Sequence, residues 1–182
     1  MTSRDNTNPP NKFCLNAAIS ACEKGGAWLE ALELYEKMKT TIKPDFITMN
    51  SLLIALANAD QKELAENIYK EALRDRILWP WKTDRRTGDR IMDLHQFSVE
   101  MSKIAVRNVI ESFLSPKPVH DVTKDLILVV GKGYGSEDGI RMLAPNVMNL
   151  LEEEYCLKAE IDPKNEGRII VRSDELQKFS DL

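Results

Sequence analysis

An aspartate and a histidine stand two positions apart in the segment IMDLHQFS, residues 91–98. Because successive side chains of a strand point to opposite faces, Asp93 and His95 share one face there. A carboxylate beside an imidazole can orient it as a general base, or the two can share a divalent metal ion. The alternative is a hydrogen-bonded pair that only closes the strand and caps the next helix. The spacing alone leaves both interpretations open.

A glycine-rich segment, GKGYGSEDG, covers residues 131–139 and follows the apolar run DLILVV. Glycines let backbone N–H groups approach a phosphate, and Lys132 between Gly131 and Gly133 adds a positive charge. Arg141 is either a further phosphate contact or a solvated helix residue. The residue order is neither a Walker A loop nor a G-x-G-x-x-G fingerprint, so nucleotide binding is disfavoured. A flexible connector is the alternative to an anion site.

Four basic residues precede the Asp-x-His segment, namely Lys82, Arg85, Arg86 and Arg90. The net charge of the whole chain is −4, which by itself argues against a nucleic-acid partner, but residues 82–136 hold 9 basic against 7 acidic residues. A local basic patch matters more to a polyanion than the total does. The four residues therefore indicate either a nucleic-acid contact or a solvated linker with incidental charge.

Strands alternate with helices in the second half of the chain, which indicates a small two-layer α/β unit. The apolar patterns predict strands over 91–95, 125–131, 156–161 and 168–172, and helices over 98–114 and 140–155. Because the Asp-x-His pair ends the first strand, it lies where open α/β sheets bind their ligands.

The first half contains an internal repeat, in which the segment that starts at Asn16 aligns with the segment that starts at Asn50. Apolar residues at helical spacing predict two helix pairs, over 13–23 with 28–40 and over 46–57 with 61–75. A repeat with this interval is typical of a helical solenoid, whose units stack their apolar faces.

The segments NAAISACEKGG, LEALELYEKMK and IKPD resemble the pentatricopeptide repeat (PPR) family. The resemblance implies that each repeat reads about one RNA base. It assigns base readout to Asn16 with Asp45, a uridine-preferring combination, and to Asn50, whose partner around 79–80 does not fit the pattern. An amide can donate to and accept from a base edge while a carboxylate orients it. Capping of helices is the alternative role of the two asparagines.

Residues 90–172 resemble the small MutS-related (SMR) domain, through Met92-Asp93-Leu94-His95 and Val130-Gly131-Lys132-Gly133. That family shows Leu-Asp-x-His and Thr-Gly-x-Gly at these places, so methionine and valine are departures. The resemblance implies nucleic-acid binding and, in some members, endonuclease activity with Mg²⁺ or Mn²⁺. Transferred by position, it makes Asp93, His95 and Lys132 catalytic, and it makes Gly131, Lys132, Gly133 and Arg141 phosphate-binding.

The predicted fold is therefore a short α-helical solenoid of two PPR-like helix pairs followed by a small SMR-like α/β sandwich. The predicted boundaries are a disordered segment 1–10, repeats 11–80, a basic linker 81–89, the α/β domain 90–172 and a polar tail 173–182. The expected function is binding of single-stranded RNA, or DNA in its place, with contact to or cleavage of the phosphodiester backbone. The alternative is a non-catalytic docking module in an organellar expression complex.

Composition excludes a membrane protein and a disulfide scaffold. The 182 residues are 43% hydrophobic and 30% charged, and no apolar run reaches the ~20 residues that span a bilayer. The three cysteines lack the close spacing of a zinc site, which indicates a reducing compartment. We expect a soluble protein, and the resemblance implies a mitochondrion or chloroplast although no transit peptide is expected in this chain.

Overall fold

A computed structural model describes residues 11–132 and 142–180. The chain divides into two compact units, the first ending at Leu78 and the second beginning at Trp79. The first unit is entirely helical where it is described, and the second combines a five-stranded sheet with three helices in its described residues. These units confirm the predicted fold class, an α-helical repeat followed by an α/β domain.

The helical unit consists of α1 (Lys12–Lys24), α2 (Trp28–Lys39), α3 (Phe46–Asn58) and α4 (Lys62–Arg74). Equivalent residues of the two repeats occupy equivalent places in the core, since Tyr35 and Tyr69 are both fully buried. The turn between the helices also repeats, because Gly26 and Asp60, which align in the two copies, both have a positive φ. The two repeats therefore share both their backbone conformation and their buried positions, as the units of a stacked solenoid do.

The α/β unit runs in the order β1 (Trp81–Thr83), β2 (Arg90–Asp93), α5 (Val99–Ser112), β3 (Leu126–Val129), α6 (Leu143–Tyr155), β4 (Ala159–Asp162), β5 (Asn165–Val171) and α7 (Ser173–Ser180). The sheet order is β1-β2-β3-β5-β4. Strands β2 and β3 are parallel and joined through α5, whereas the other neighbouring strands are antiparallel. The parallel pair brings the ends of β2 and β3, and therefore the two predicted motifs, to the same edge.

The two faces of this sheet differ. On one face Met92, Leu128 and Ile169 are fully buried, and α6, which packs on α5, contacts β4 and β5. The opposite face, which we call the isoleucine face, carries a row of residues in register across the five strands: Lys82, Ile91, Ile127, Ile170 and Glu160.

Two predicted boundaries differ from the structure. Residues 81–89, expected to be a linker, form β1 and the turn that pairs it with β2. A three-residue strand is too short to show an alternating pattern, which is why the sequence did not reveal it. The tail 173–182 begins with α7, where Leu176 is fully buried. The segment 1–10 lies outside the described residues, as do Gly133 and Arg141. None of the helices described has the length and hydropathy needed to cross a bilayer.

Candidate nucleic-acid interface

Three polar side chains of the helical unit form a connected group, which we call the amide cluster: Asn16, Asp45 and Thr48. The Asn16 Nδ2 donates to Asp45 Oδ1 at 3.1 Å, and the Thr48 hydroxyl donates to Asn16 Oδ1 at 2.6 Å. The same hydroxyl accepts the backbone N–H of Asp45 at 3.1 Å, while Asp45 caps α3. Each of the three side chains is therefore held in place by hydrogen bonds with the other two residues.

The amide cluster sets the orientation of the Asn16 side chain. Its oxygen faces Thr48 and its nitrogen faces Asp45, so exchanging the two atoms would break both bonds. One N–H and one lone pair of the amide remain, which is the donor–acceptor pair that a pyrimidine edge complements. Burial favours a raised pKa for Asp45, but its hydrogen bonds with Thr48 and Asn16 and the charge of Lys12 lower that pKa overall.

Asn50 lies at the corresponding place of the second repeat, and it is half-buried. The positions that correspond to Asp45 and Thr48 are occupied there by Trp79 and Lys82, which cannot reproduce a carboxylate and a hydroxyl. The amide cluster of the first repeat is therefore not repeated with the same residue types, in agreement with the sequence pattern at 79–80.

Two exposed apolar side chains were missed by the sequence analysis. Phe13 is 85% exposed and Ile47 is 58% exposed, and each stands three positions before Asn16 or Asn50. Large apolar residues with this exposure can contact the faces of unstacked bases. The sequence could have revealed them, because each lies three positions before an aligned asparagine and therefore occupies the same position of its repeat.

The Asp-x-His pair forms a hydrogen-bonded site in the α/β unit. The Asp93 Oδ1 lies 2.5 Å from His95 Nδ1, and the same oxygen accepts the backbone N–H of His95 at 3.2 Å. Lys82, which the sequence assigned to the basic patch, donates its ammonium group to Asp93 Oδ2 at 2.6 Å. Both oxygens of this carboxylate are therefore occupied by partners within the protein.

These contacts leave one nitrogen of His95 available. With Nδ1 donating to the carboxylate, Nε2 is the unprotonated nitrogen of the neutral ring. The side chain of Asp93 is 11% exposed, whereas that of His95 is 44% exposed. Burial raises the pKa of Asp93, but the hydrogen bonds from Lys82 and His95 outweigh it and lower that pKa. The carboxylate stays ionised, and it holds an accessible general base.

The glycine loop begins beside this pair. Gly131 has φ of +76°, and a Cβ built on it would lie 3.5 Å from the Cβ of His95. However, the backbone N–H groups of Val130 and Gly131 both donate to the carbonyl of Gly167, at 2.9 and 3.1 Å. Gly131 therefore cannot offer its own N–H to a phosphate in this conformation. Lys132, the next residue, is exposed, and its side chain passes close to Gly167.

The four predicted basic residues do not form one patch. Lys82 is bound to Asp93, and the guanidinium of Arg90 lies 4.2 Å from the ring centroid of Trp81. Arg90 and Lys82 point to opposite faces of the hairpin, because Lys82 is paired with Ile91 and not with Arg90. Arg85 and Arg86 lie exposed in the turn, and no ion pair of theirs is found among the described residues. Strand β1 was not recognised from the sequence, so alternation could not be applied to Lys82 and Arg90.

The comparison with known families concerns the helical unit. Residues 13–40 and 47–77 each match the family model described as PPR repeat. Residues 13–77 contain two PPR repeats. This match indicates RNA binding in general and confirms the repeat part of the sequence interpretation. The match does not extend into the α/β unit, and no curated protein matches the chain.

The amide cluster spans these PPR repeats. Asn16 belongs to the first repeat, Thr48 to the second, and Asp45 lies between the two matched segments. The orientation of one candidate base-reading amide is thus set by residues on both sides of the repeat boundary. A single repeat in isolation would not contain it.

Proposed function

We propose that this protein binds single-stranded RNA through its PPR repeats and contacts the phosphodiester backbone with an SMR-like α/β unit, which cleaves it. The observation that carries the proposal is the hydrogen bond of 2.5 Å between Asp93 and His95, which orients an exposed imidazole. An oriented base can remove the proton of a nucleophile that attacks a phosphodiester.

In the repeats, the amide cluster reads one base. The fixed amide of Asn16 presents a donor and an acceptor to a uridine edge, and Asp45 and Thr48 keep it from rotating. Phe13 and Ile47 contact the faces of the neighbouring bases. Asn50 contributes a second, less specific contact, because the sequence position that corresponds to Asp45 is occupied by Trp79.

In the α/β unit, His95 Nε2 removes the proton from a ribose 2′-hydroxyl. The resulting oxygen attacks the adjacent phosphorus, the O2′–P bond forms, the P–O5′ bond breaks, and the departing 5′-oxygen takes a proton from solvent. Lys132 stabilises the negative charge that develops on the phosphate oxygens. RNA supplies this nucleophile within the substrate, whereas DNA lacks it, so the proposed substrate is RNA.

The Mg²⁺ or Mn²⁺ implied by the resemblance fits Asp93 poorly. A divalent ion at this carboxylate would have to displace the Lys82 ammonium or the His95 ring, which occupy its two oxygens. No step of the proposed reaction therefore passes through a metal ion. The cleavage assay below tests this by comparing Mg²⁺, Mn²⁺ and a chelator.

A second candidate function is a docking module that binds nucleic acid without cleaving it. One observation favours it: the N–H groups of Val130 and Gly131 are both bound to the Gly167 carbonyl, so these two amides do not reach a phosphate. Val130 also stands where the related loop has a threonine hydroxyl. The two candidates differ only in turnover.

The test is a cleavage assay with labelled single-stranded RNA, run with Mg²⁺, with Mn²⁺ and with a chelator. We expect cleavage by the wild-type chain in all three conditions and its loss in Asp93→Ala and His95→Ala. His120→Asn is the matched control, because that histidine is buried and bound to the Lys124 carbonyl. Equal cleavage by all variants would end the catalytic proposal, and activity only with metal would contradict the proposed step.

The resemblance to organelle RNA-processing proteins also leads us to propose a mitochondrion or a chloroplast as the location. Fluorescence imaging of the full-length protein in cells tests this directly. A diffuse signal outside both organelles would contradict it.

A further inference from the structure

The isoleucine face of the sheet forms a groove of about 760 Å³. Its floor consists of Ile91, Ile127 and Ile170, which are neighbours in register on β2, β3 and β5. Residues 84–87 and 89 from the β1–β2 turn and residues 163–164 from the β4–β5 turn line it as well. Part of this lining, residues 82–87 and 89, belongs to the segment that the sequence assigned to a linker.

The lining of the groove holds more basic than acidic side chains. Six basic side chains line it, against three acidic ones: Lys82, Arg85, Arg86, Lys164, Arg168 and Arg172 against Asp84, Asp89 and Asp162. Three of the cations are held by acids, since Lys82 binds Asp93, Arg168 binds Asp84, and Arg172 binds Asp125 and Glu160. The groove is basic although the whole chain carries a net charge of −4.

The other three cations are available. Within the described part of the chain, the side chains of Arg85, Arg86 and Lys164 have no ion-pair partner, and all three residues are exposed. They come from the two turns, so they stand on the rim, while the isoleucines form the floor. A cationic rim around an apolar floor suits a ligand that combines anionic groups with flat apolar surfaces.

We propose that this groove binds a stretch of single-stranded RNA, with phosphates at Arg85, Arg86 and Lys164 and with bases against Ile127 and its neighbours. The proposal rests on the proposed contact of the α/β unit with RNA, and it adds the surface that holds the strand. Charge complementarity selects this ligand, because its phosphates match the cations of the rim. The PPR repeats in the same chain bring RNA to the molecule.

Lys82 links the groove to the Asp93–His95 site. It lines the groove and donates to Asp93 Oδ2 at 2.6 Å, and Asp93 follows Ile91 on the same face of β2. In the proposed complex, a strand lying in the groove extends from there toward the oriented imidazole. The groove gives the site a means to hold several nucleotides, which a single exposed histidine lacks.

The experiment measures binding of a labelled oligouridine to the full chain as a function of salt. The groove variant combines Arg85→Ser, Arg86→Ser and Lys164→Ser. Binding becomes less dependent on salt when three phosphate contacts are lost. The negative slope of log K against log salt becomes shallower by about 2, since each contact with a single strand contributes roughly 0.7. The variant Ile127→Gln lowers the affinity without changing the slope, because it alters the floor and not the charge.

The matched control combines Lys117→Ser, Lys124→Ser and Lys158→Ser, which removes the same charge from exposed positions outside the groove. We expect its salt slope to equal that of the wild type. Equal losses in both triple variants, or displacement of the RNA by polyglutamate at the same concentration as by unlabelled oligouridine, would overturn the groove. If the groove triple binds normally while His95-dependent cleavage persists, only the groove is refuted. If the wild type binds no RNA, the proposed function falls with it.

Discussion

Replacing Thr48 with valine keeps the shape of the side chain and removes its hydroxyl. The hydroxyl donates to Asn16 Oδ1 at 2.6 Å and accepts the backbone N–H of Asp45, and Thr48 is fully buried. A buried acceptor left without a partner costs about 1–3 kcal/mol, and the loss of the second hydrogen bond costs about 1 kcal/mol. We therefore expect Thr48→Val to lower the free energy of unfolding of the helical unit by about 2–4 kcal/mol.

The matched control is Thr48→Ser, which keeps the hydroxyl and loses one methyl group at a cost of about 0.8 kcal/mol. Hydrogen exchange of the amides in α1 and α3, measured by mass spectrometry, reports the stability of this unit separately from that of the α/β unit. The same pair of variants tests base reading, because freeing the Asn16 amide lowers the preference for uridine over cytidine by about fivefold, equivalent to roughly 1 kcal/mol. If the free energies of unfolding of Thr48→Val and Thr48→Ser differed by less than about 0.5 kcal/mol, the stabilising role given to the Thr48 hydroxyl would be refuted.

Three further outcomes follow from the backbone and the charges. Asp60→Gly is expected to stabilise the helical unit by about 0.5–1 kcal/mol in urea unfolding, because Asp60 has φ of +57° where the first repeat has Gly26; a loss of stability would contradict this. Gly131→Ala is expected to destabilise the α/β unit by about 1–2 kcal/mol, because its φ of +76° disfavours a side chain; an unchanged melting temperature would contradict it. The lowered pKa of Asp93 gives stability that is present above about pH 4 and is lost as the pH falls through the folded-state pKa. Asp93→Asn should therefore flatten the acid limb of a stability–pH profile, and an identical limb would argue against the pairing.

The sequence predicted what depends on periodicity. The alignment of Asn16 with Asn50 located both helix pairs, and the bounds of all four helices agree closely with the predicted ranges. Alternation along β2 put Asp93 and His95 on one face, and in the structure the parallel pairing of β2 and β3 brings Gly131 beside them. These features follow from local pattern and from general rules of α/β topology.

What the sequence did not reveal depends on contacts between residues far apart in the chain. Strand β1 is too short to show a pattern, so the pairing of Lys82 with Asp93 could not be anticipated. The Gly131 N–H donates to the carbonyl of Gly167 in β5, a residue that is distant in sequence. Nothing in the sequence indicated the role of Thr48, because its hydrogen bond with Asn16 joins residues of two different repeats.

The most direct test of the account is nitrogen-detected NMR of the two histidines in mildly alkaline buffer, before and after addition of an oligouridine with 2′-deoxyribose, which cannot be cleaved by the proposed step. His95 should carry its proton on Nδ1, facing Asp93, and His120 should carry its proton on Nε2, facing the Lys124 carbonyl. We predict that the oligonucleotide shifts the Nε2 resonance of His95 and leaves the resonances of buried His120 unchanged. A proton on Nε2 of His95, or no shift there while the side-chain amide of Asn16 responds, would contradict the claim that this imidazole faces the bound strand.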